Sequence, residues 1–260
     1  TSELNSPIDD KLAINTMKFS IIIPTLNETN VIQACLLALQ FIRKDCEIIV
    51  VDGGSLDNTA VLAKHLADKV IICSKGRSLQ MNRGADHATG NVLIFLHADT
   101  YLPRNALTLI GRHISQHKQW GRFDIALNGS SFMLKIIAFM MNWRSRLTGI
   151  ATGDQVIFVT QQLFNKVGQY PEISLMEDIA LCNMLNKISR PICLKAKVTS
   201  STRRWEHNGL YKTILLMWCI RLAYFCGTDP QKLAVMYSEN IFTHFKWKTF
   251  WKWRHSPKSN

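Results

Sequence analysis

With 260 residues, 47% of them hydrophobic and 19% charged, the chain can build one sizeable core and lies far from the composition of disordered proteins. A formal net charge of +12 points to an anionic partner (nucleic acid, anionic lipid or a phosphorylated substrate) without choosing among them. Seven cysteines with no C-x-x-C pair, several inside apolar runs, argue against a disulfide framework or a zinc site and for a reduced, cytoplasmic protein. Residues 1–16 are polar and acidic, lack the features of a secretory signal and are expected to form a disordered tail.

Residues 19–24 read as a first buried strand, stopped by Pro24. Thr25-Leu26-Asn27-Glu28 is a polar loop, and residues 31–42 carry helical periodicity. A second strand at 47–51 ends in Asp52 and turns through Gly53-Gly54. Asp57 or Asn58 then suits the N-cap of a helix reaching Ala67. A third strand is expected at 70–73, a helix across 76–88 and a fourth strand at 91–96, leading into His97-Ala98-Asp99. This alternation on short connections indicates a parallel sheet with right-handed crossovers. Further on, helices are expected at 105–117, 161–167 and from Glu177 to Asn186, with strands at 120–125 and 157–159. From Tyr211 onward the chain reads as a helical, aromatic and basic appendage.

Two parallel strands that each deliver a carboxylate, Asp52 and Asp99, place those groups in the crevice where open α/β sheets bind ligands. A carboxylate fixed there can hold a divalent cation against a diphosphate, as a nucleotide-sugar site requires.

Ser20-Ile21-Ile22-Ile23-Pro24-Thr25-Leu26-Asn27-Glu28, Glu47-Ile48-Ile49-Val50-Val51-Asp52-Gly53-Gly54-Ser55 and Asp57-Asn58-Thr59 resemble the family 2 inverting glycosyltransferases of the GT-A fold. Gly76-Arg77, Gln80-Met81-Asn82, Gly84, Phe95-Leu96-His97-Ala98-Asp99-Thr100, Gly153-Asp154-Gln155, Leu175-Met176-Glu177-Asp178 and Arg203-Arg204-Trp205 are similar to a bacterial subgroup, the rSAM/selenodomain-associated transferase 2 proteins. The resemblance runs from Phe19 to Trp205. It implies an α/β fold of GT-A (Rossmann-like) type, a mostly parallel sheet flanked by helices, over residues 17–205, with a helical extension at 206–260.

The same resemblance implies that Pro24, Thr25, Glu28, Asp52, Arg77, Asn82, Ala98 and Asp99 surround the donor nucleotide. Asp99, with His97 standing where the wider family has the first Asp of Asp-x-Asp, would coordinate Mn²⁺ or Mg²⁺. His97 serves equally as a core or supporting histidine. Asp178 would be the catalytic base with Glu177 beside it, although two acidic residues opening a helix also simply complement its dipole. Asp154, Arg203, Arg204 and Trp205 would face the donor sugar, the acceptor or a phosphate. Single displacement at the anomeric carbon would invert it.

Phe245-Lys246-Trp247-Lys248-Thr249-Phe250-Trp251-Lys252-Trp253-Arg254 alternates aromatics with cations. Three settings stay open for it: packing on its own domain or a second subunit as a homodimer, a membrane surface, and single-stranded nucleic acid. The membrane setting fits a peripheral enzyme on the inner membrane face with a lipid-linked acceptor; no specific nucleic acid is expected. No apolar segment reaches the ~18 uncharged residues of a spanning helix. Two other functions compete: a nucleotidyltransferase, disfavoured because Pro24-Thr25-Leu26-Asn27-Glu28 replaces the glycine-rich basic loop it needs, and a non-catalytic adaptor, disfavoured because Asp52, Asp99 and Asp178 are all present.

Overall fold

A strand that is apolar at every position can be buried only between two layers. In the computed structural model, which describes residues 17–115, 117–129, 131–202 and 210–238, the first strand, β1 (Phe19–Thr25), sends Ile21 and Ile23 into one core and Ile22 into another. It is followed by α1 (Thr29–Leu39), β2 (Cys46–Asp52), α2 (Thr59–Ala63), β3 (Lys69–Ile72), α3 (Arg77–Asp86) and β4 (Val92–Phe95). Then come β5 (Thr100–Tyr101), α4 (Ala106–His113), β6 (Trp120–Leu127), α5 (Phe132–Thr148), β7 (Ile157–Thr160), α6 (Gln161–Lys166), α7 (Glu177–Asn186) and β8 (Ile192–Ser200). Ile32, Leu36 and Leu39 of α1 and Ile110 of α4 close the first core. Met81 of α3, Phe164 of α6 and Leu181 and Leu185 of α7 close the second.

The sheet runs β3-β2-β1-β4-β7-β6-β8-β5. β3, β2, β1 and β4 are mutually parallel, and β7 pairs antiparallel with both β4 and β6. β8 lies parallel to β6 and antiparallel to the two-residue β5. The fold is therefore the expected α/β one, a mostly parallel sheet flanked by helices. Because Thr25 stands opposite Asp52 and Ile22 opposite Phe95, the loops after β1, β2 and β4 leave from one edge. Helix α3 can sit this close to β1 because Gly84 has no side chain: a Cβ there would overlap Ile22 Cγ2.

Most strands lie within two residues of expectation, but the first helix begins at Thr29 and its end tightens into a 3-10 turn, Gln40–Asp45. The second helix stops at Ala63, short of Ala67, and α4 ends at His113, short of residue 117. Three elements are new: β5, α5 and β8.

Helix α5 is tied to β6 by a buried charge cluster. Arg122, fully buried, donates to Asp124, to Phe123 O (3.2 Å) and to Asn142 O (3.1 Å). Arg146 grips both oxygens of Asp124 at 2.6 and 2.8 Å, and Asn142 exchanges hydrogen bonds with the Ile125 backbone at 2.8 and 3.0 Å. Removing one member of such a cluster strands the other charge in the interior. Asp124→Ala should therefore destabilise the chain by about 3–5 kcal/mol, read from urea unfolding; a loss under about 1 kcal/mol would show that the cluster is not what fixes α5.

The chain divides into two compact units. Residues 17–172 with 177–201 form the sheet unit, and 173–176 with 202 and 210–238 the other. In the second unit α8 (Leu210–Phe225) turns off at Gly227, whose φ of 84° suits glycine, and Thr228 N–H bonds back to Ala223 O at 3.0 Å. Asp229 then caps α9 (Pro230–Ser238) through the Gln231 N–H at 2.8 Å. No helix among the described residues is long and apolar enough to cross a membrane. Residues 1–16, Arg203, Arg204, Trp205 and the stretch 245–254 lie outside the described residues.

Candidate active site

The loops after β1 and β2 are zipped together by their polar side chains. Asn27, at a left-handed φ of 54°, donates its N–H to Ser55 Oγ (2.8 Å) and accepts from the Leu56 N–H (2.9 Å). Glu28 N–H donates to Thr59 Oγ1 at 2.8 Å, and Asp57 accepts from the Thr29 and Thr59 N–H groups at 3.3 and 3.0 Å. Asp52 sits beneath this pair of loops, buried. Its Oδ2 accepts from Gly54 and Ser55 N–H (3.1 and 2.7 Å), its Oδ1 from Ser55 Oγ (2.5 Å) and Thr25 Oγ1 (3.2 Å). A carboxylate offers about four acceptor positions, and here all four are used. Asp52 thus shapes the wall of the crevice, with Thr25 buried and Pro24 and Glu28 half-buried around it.

Helix α3 supplies the floor. Gln80, buried, donates from Nε2 to Thr25 O and Val51 O, both at 2.8 Å, and so holds the ends of β1 and β2 at a fixed spacing. Asn82 uses its amide to clasp the Tyr170 backbone, donating to Tyr170 O at 2.8 Å and accepting from Tyr170 N at 2.9 Å. Asn82 thereby clamps the Tyr170 backbone to α3. Ala98 is buried in the first core. Arg77, at the first turn of α3, is about half exposed and reaches Glu177 Oε1 at 3.4 Å.

The second cluster gathers around the start of α7, all within the sheet unit. His97, just past β4, sets Nδ1 3.3 Å from Asp154 Oδ1. Gly153 N–H donates to Asp178 Oδ2 at 2.8 Å. A Cβ on Gly153 would run into His97 Nε2 and stand 3.0 Å from Asp178 Oδ2, so the imidazole, the glycine and the carboxylate are in mutual contact range. His97 Nε2 and Asp178 Oδ1 are buried and have no hydrogen-bond partner among the described residues. Burial, reinforced by the neighbouring Glu177 carboxylate, pushes Asp178 from 3.8 up to about 6, against the pull of His97, Arg77 and the Gly153 N–H. Burial disfavours a charge on His97, yet the hydrogen bond to Asp154 and the carboxylates of Asp154 and Asp178 outweigh it and raise its pKa.

Tyr170 belongs to this region although no motif marks it. Its ring meets Phe95 edge-on at 5.0 Å, and its hydroxyl is buried within electrostatic reach of Asp178 and Glu177. Asp99 lies half-buried in the turn after β4, its carbonyl accepting from Ser201 N at 3.1 Å. The structure thus brings Arg77, His97, Asp154, Glu177 and Asp178 together, and sets Thr25, Glu28 and Asp52 at the adjoining strand ends. Among the described residues no group of three or more His, Cys, Asp or Glu side chains is gathered for a metal ion.

This parallel-strand crevice, with the acidic helix start beside it, has the GT-A fold of glycosyltransferases. The chain belongs to glycosyltransferase family 2, whose model, Glycosyl transferase family 2, matches residues 20–160. A "PGL/p-HBAD biosynthesis glycosyltransferase" of Mycobacterium bovis (strain BCG / Pasteur 1173P2) is 34% identical over 173 residues, covering 58% of this chain and 62% of that protein. The chain thus spans less than two thirds of the length of such relatives. Among solved structures it is similar to the mannosyltransferase PcManGT of Pyrobaculum calidifontis in complex with GDP-Man and Mn²⁺ (TM-score 0.58, 16% identity, 87% of this chain and 70% of that one). It is also similar to glucosyl-3-phosphoglycerate synthase of Mycobacterium tuberculosis in complex with Mn²⁺, UDP and glucosyl-3-phosphoglycerate (TM-score 0.55, 14% identity, 77% and 76%). At such identities the likeness concerns the fold.

Proposed function

We propose that the chain transfers a sugar from a nucleoside-diphosphate donor to an acceptor hydroxyl with inversion at the anomeric carbon, Asp178 being the base. The observation that carries this reading is the state of Asp178: one oxygen is pinned by Gly153 N–H, and the other is buried and unpartnered on a carboxyl raised to about 6. A base poised near neutral pH, with a free lone pair, suits removal of a hydroxyl proton as that oxygen attacks. A single displacement needs no covalent glycosyl-enzyme. His97 and Asp154 brace Gly153 and the carboxylate, and Arg77 bridges from the donor side to Glu177.

The donor base would lie against Thr25 and Glu28, in the pocket that Asp52 shapes. A hard cation held mostly by diphosphate oxygens needs only one or two protein carboxylates. Half-buried Asp99 fits that need, and His97, its Nδ1 held by Asp154, keeps Nε2 as a second candidate ligand. When bound, Mn²⁺ or Mg²⁺ would neutralise charge growing on the leaving diphosphate. GDP-Man and UDP in the similar structures support a purine or pyrimidine diphosphate as the donor half. Arg203, Arg204 and Trp205 keep their proposed place beside the phosphates or acceptor, and residues 206–260 their place as an extension of the catalytic domain.

Thermal unfolding with UDP and GDP, each with and without Mn²⁺, tests the donor class. One diphosphate at about 100 times its Kd should add ~2.7 kcal/mol, or roughly 5–10 °C in Tm. Asp99→Asn should lose the Mn²⁺-dependent part of that shift. Stabilisation by no nucleoside diphosphate would remove the donor assignment.

A further inference from the structure

Helix α5 has apolar side chains on two faces. Leu134, Ile137 and Ala138 point inward and are buried. On the outer side Phe132 is 72% exposed, Phe139 67%, Met140 49%, Trp143 58% and Leu147 57%. Spacings of seven, one, three and four residues put all five on one stripe along the helix. Soluble surfaces rarely carry a contiguous row of large apolar groups unless something covers it. Exposed Ile188, in the turn after α7, extends the stripe, because Asn186 donates to Thr148 O and Gly149 O (3.4 and 3.0 Å) and Arg190 to Leu147 O (3.4 Å).

Along α5 and the turn after α7 the charged residues described are all cationic. No Asp or Glu occurs between Asp124 and Asp154, or between Asp178 and Glu206. Lys135 on α5 and Lys187 and Arg190 beside its C-terminal end are exposed. We propose that this outer face of α5 docks the protein onto an anionic lipid bilayer, the rings entering the headgroup region and the cations meeting lipid phosphates. An aromatic stripe with a cationic rim matches a bilayer of acidic lipids on both counts, whereas a second copy of this chain would bring like charge against like. With 17 residues and cations at Lys135, Arg144 and Arg146, the helix lies on the surface and does not cross it.

The face also adjoins the chemistry. Asn186, at the stripe's end, and Asp178 are separated by eight residues of one helix, about 12 Å. The substrate class that follows is an acceptor carried in the membrane, and that step rests on the transfer reaction proposed above.

Vesicle co-sedimentation of the full chain tests the docking face without any use of activity. The wild type should pellet with phosphatidylcholine–phosphatidylglycerol vesicles and far less with phosphatidylcholine alone. Phe139→Ser/Trp143→Ser, at exposed positions that leave the core intact, should weaken binding at least about tenfold at unchanged Tm. Lys135→Glu/Lys187→Glu should lose the preference for anionic vesicles. Undiminished pelleting of the serine double variant would overturn the assignment. So would a wild type that ignores vesicles but forms a dimer which that variant dissolves. Donor-induced thermal shifts are read separately, so failure of the docking face and failure of the transfer reaction remain distinguishable.

Discussion

Asp178→Asn should raise the melting temperature and cut transfer by orders of magnitude in the same molecule. Burial and the Glu177 carboxylate hold Asp178 at about 6 against an ordinary 3.8, so the folded chain retains a proton that the unfolded chain releases between these values. Stability therefore falls as pH rises from about 4 through about 6, and above that window the ionised carboxylate costs the fold on the order of 3 kcal/mol. Asparagine keeps an acceptor for the Gly153 N–H and carries no charge. At pH 7 the variant should melt roughly 5–10 °C above the wild type, with the gap closing towards pH 4. The same change removes the proton acceptor, and transfer should fall by about 10²–10⁴ while nucleoside-diphosphate binding stays within about twofold. A variant that is both active and no more stable would take Asp178 out of the account.

Gly153→Ala should damage the site through geometry alone. The added methyl would overlap His97 Nε2 and crowd Asp178 Oδ2 at 3.0 Å, so the imidazole, the 3-10 turn Gly153–Gln155 or the carboxylate has to move. Displacing reacting groups by about 1 Å can cost on the order of 10² in rate, and overpacking typically costs 1–3 kcal/mol of stability. Removing the ring the methyl strikes should restore the fold but not the chemistry. In a double-mutant cycle His97→Ala/Gly153→Ala should thus be more stable than Gly153→Ala alone, while remaining inactive. Additive stability losses would mean that the two positions do not meet as described.

The sheet's centre is legible because its strands carry near-continuous apolar runs, and the bounding Pro24, Asp52 and Asp99 mark where the crevice opens. β8 escaped notice although Ile192, Leu194 and Val198 alternate with Lys195 and Lys197, a period-two signal that a motif-led reading passes over. Helix α5 hid for a different reason. With apolar groups on both its inner and outer faces it shows little one-sided periodicity, and one of its charges, Arg146, is spent on Asp124, a partner 22 residues away. At the site, the carboxylate pair at the start of α7 was readable, whereas the employment of individual polar atoms was not. Asn82 closes on Tyr170, 88 residues distant, and Asp52 is saturated by Thr25 and its own loop, so these motif residues serve as scaffold for the crevice. The pairing of His97 with Asp154 likewise depends on β4 and the turn before β7 being brought together by the sheet.

The most direct measurement is the pH dependence of kcat/KM for nucleoside-diphosphate release from the donor that stabilises the chain. The account predicts a rate that climbs tenfold per pH unit below about 6 and levels off above it, with that limb missing from the residual activity of Asp178→Asn. A flat profile between about pH 5 and 7, or a limb that survives in the variant, would contradict a transfer reaction driven by Asp178.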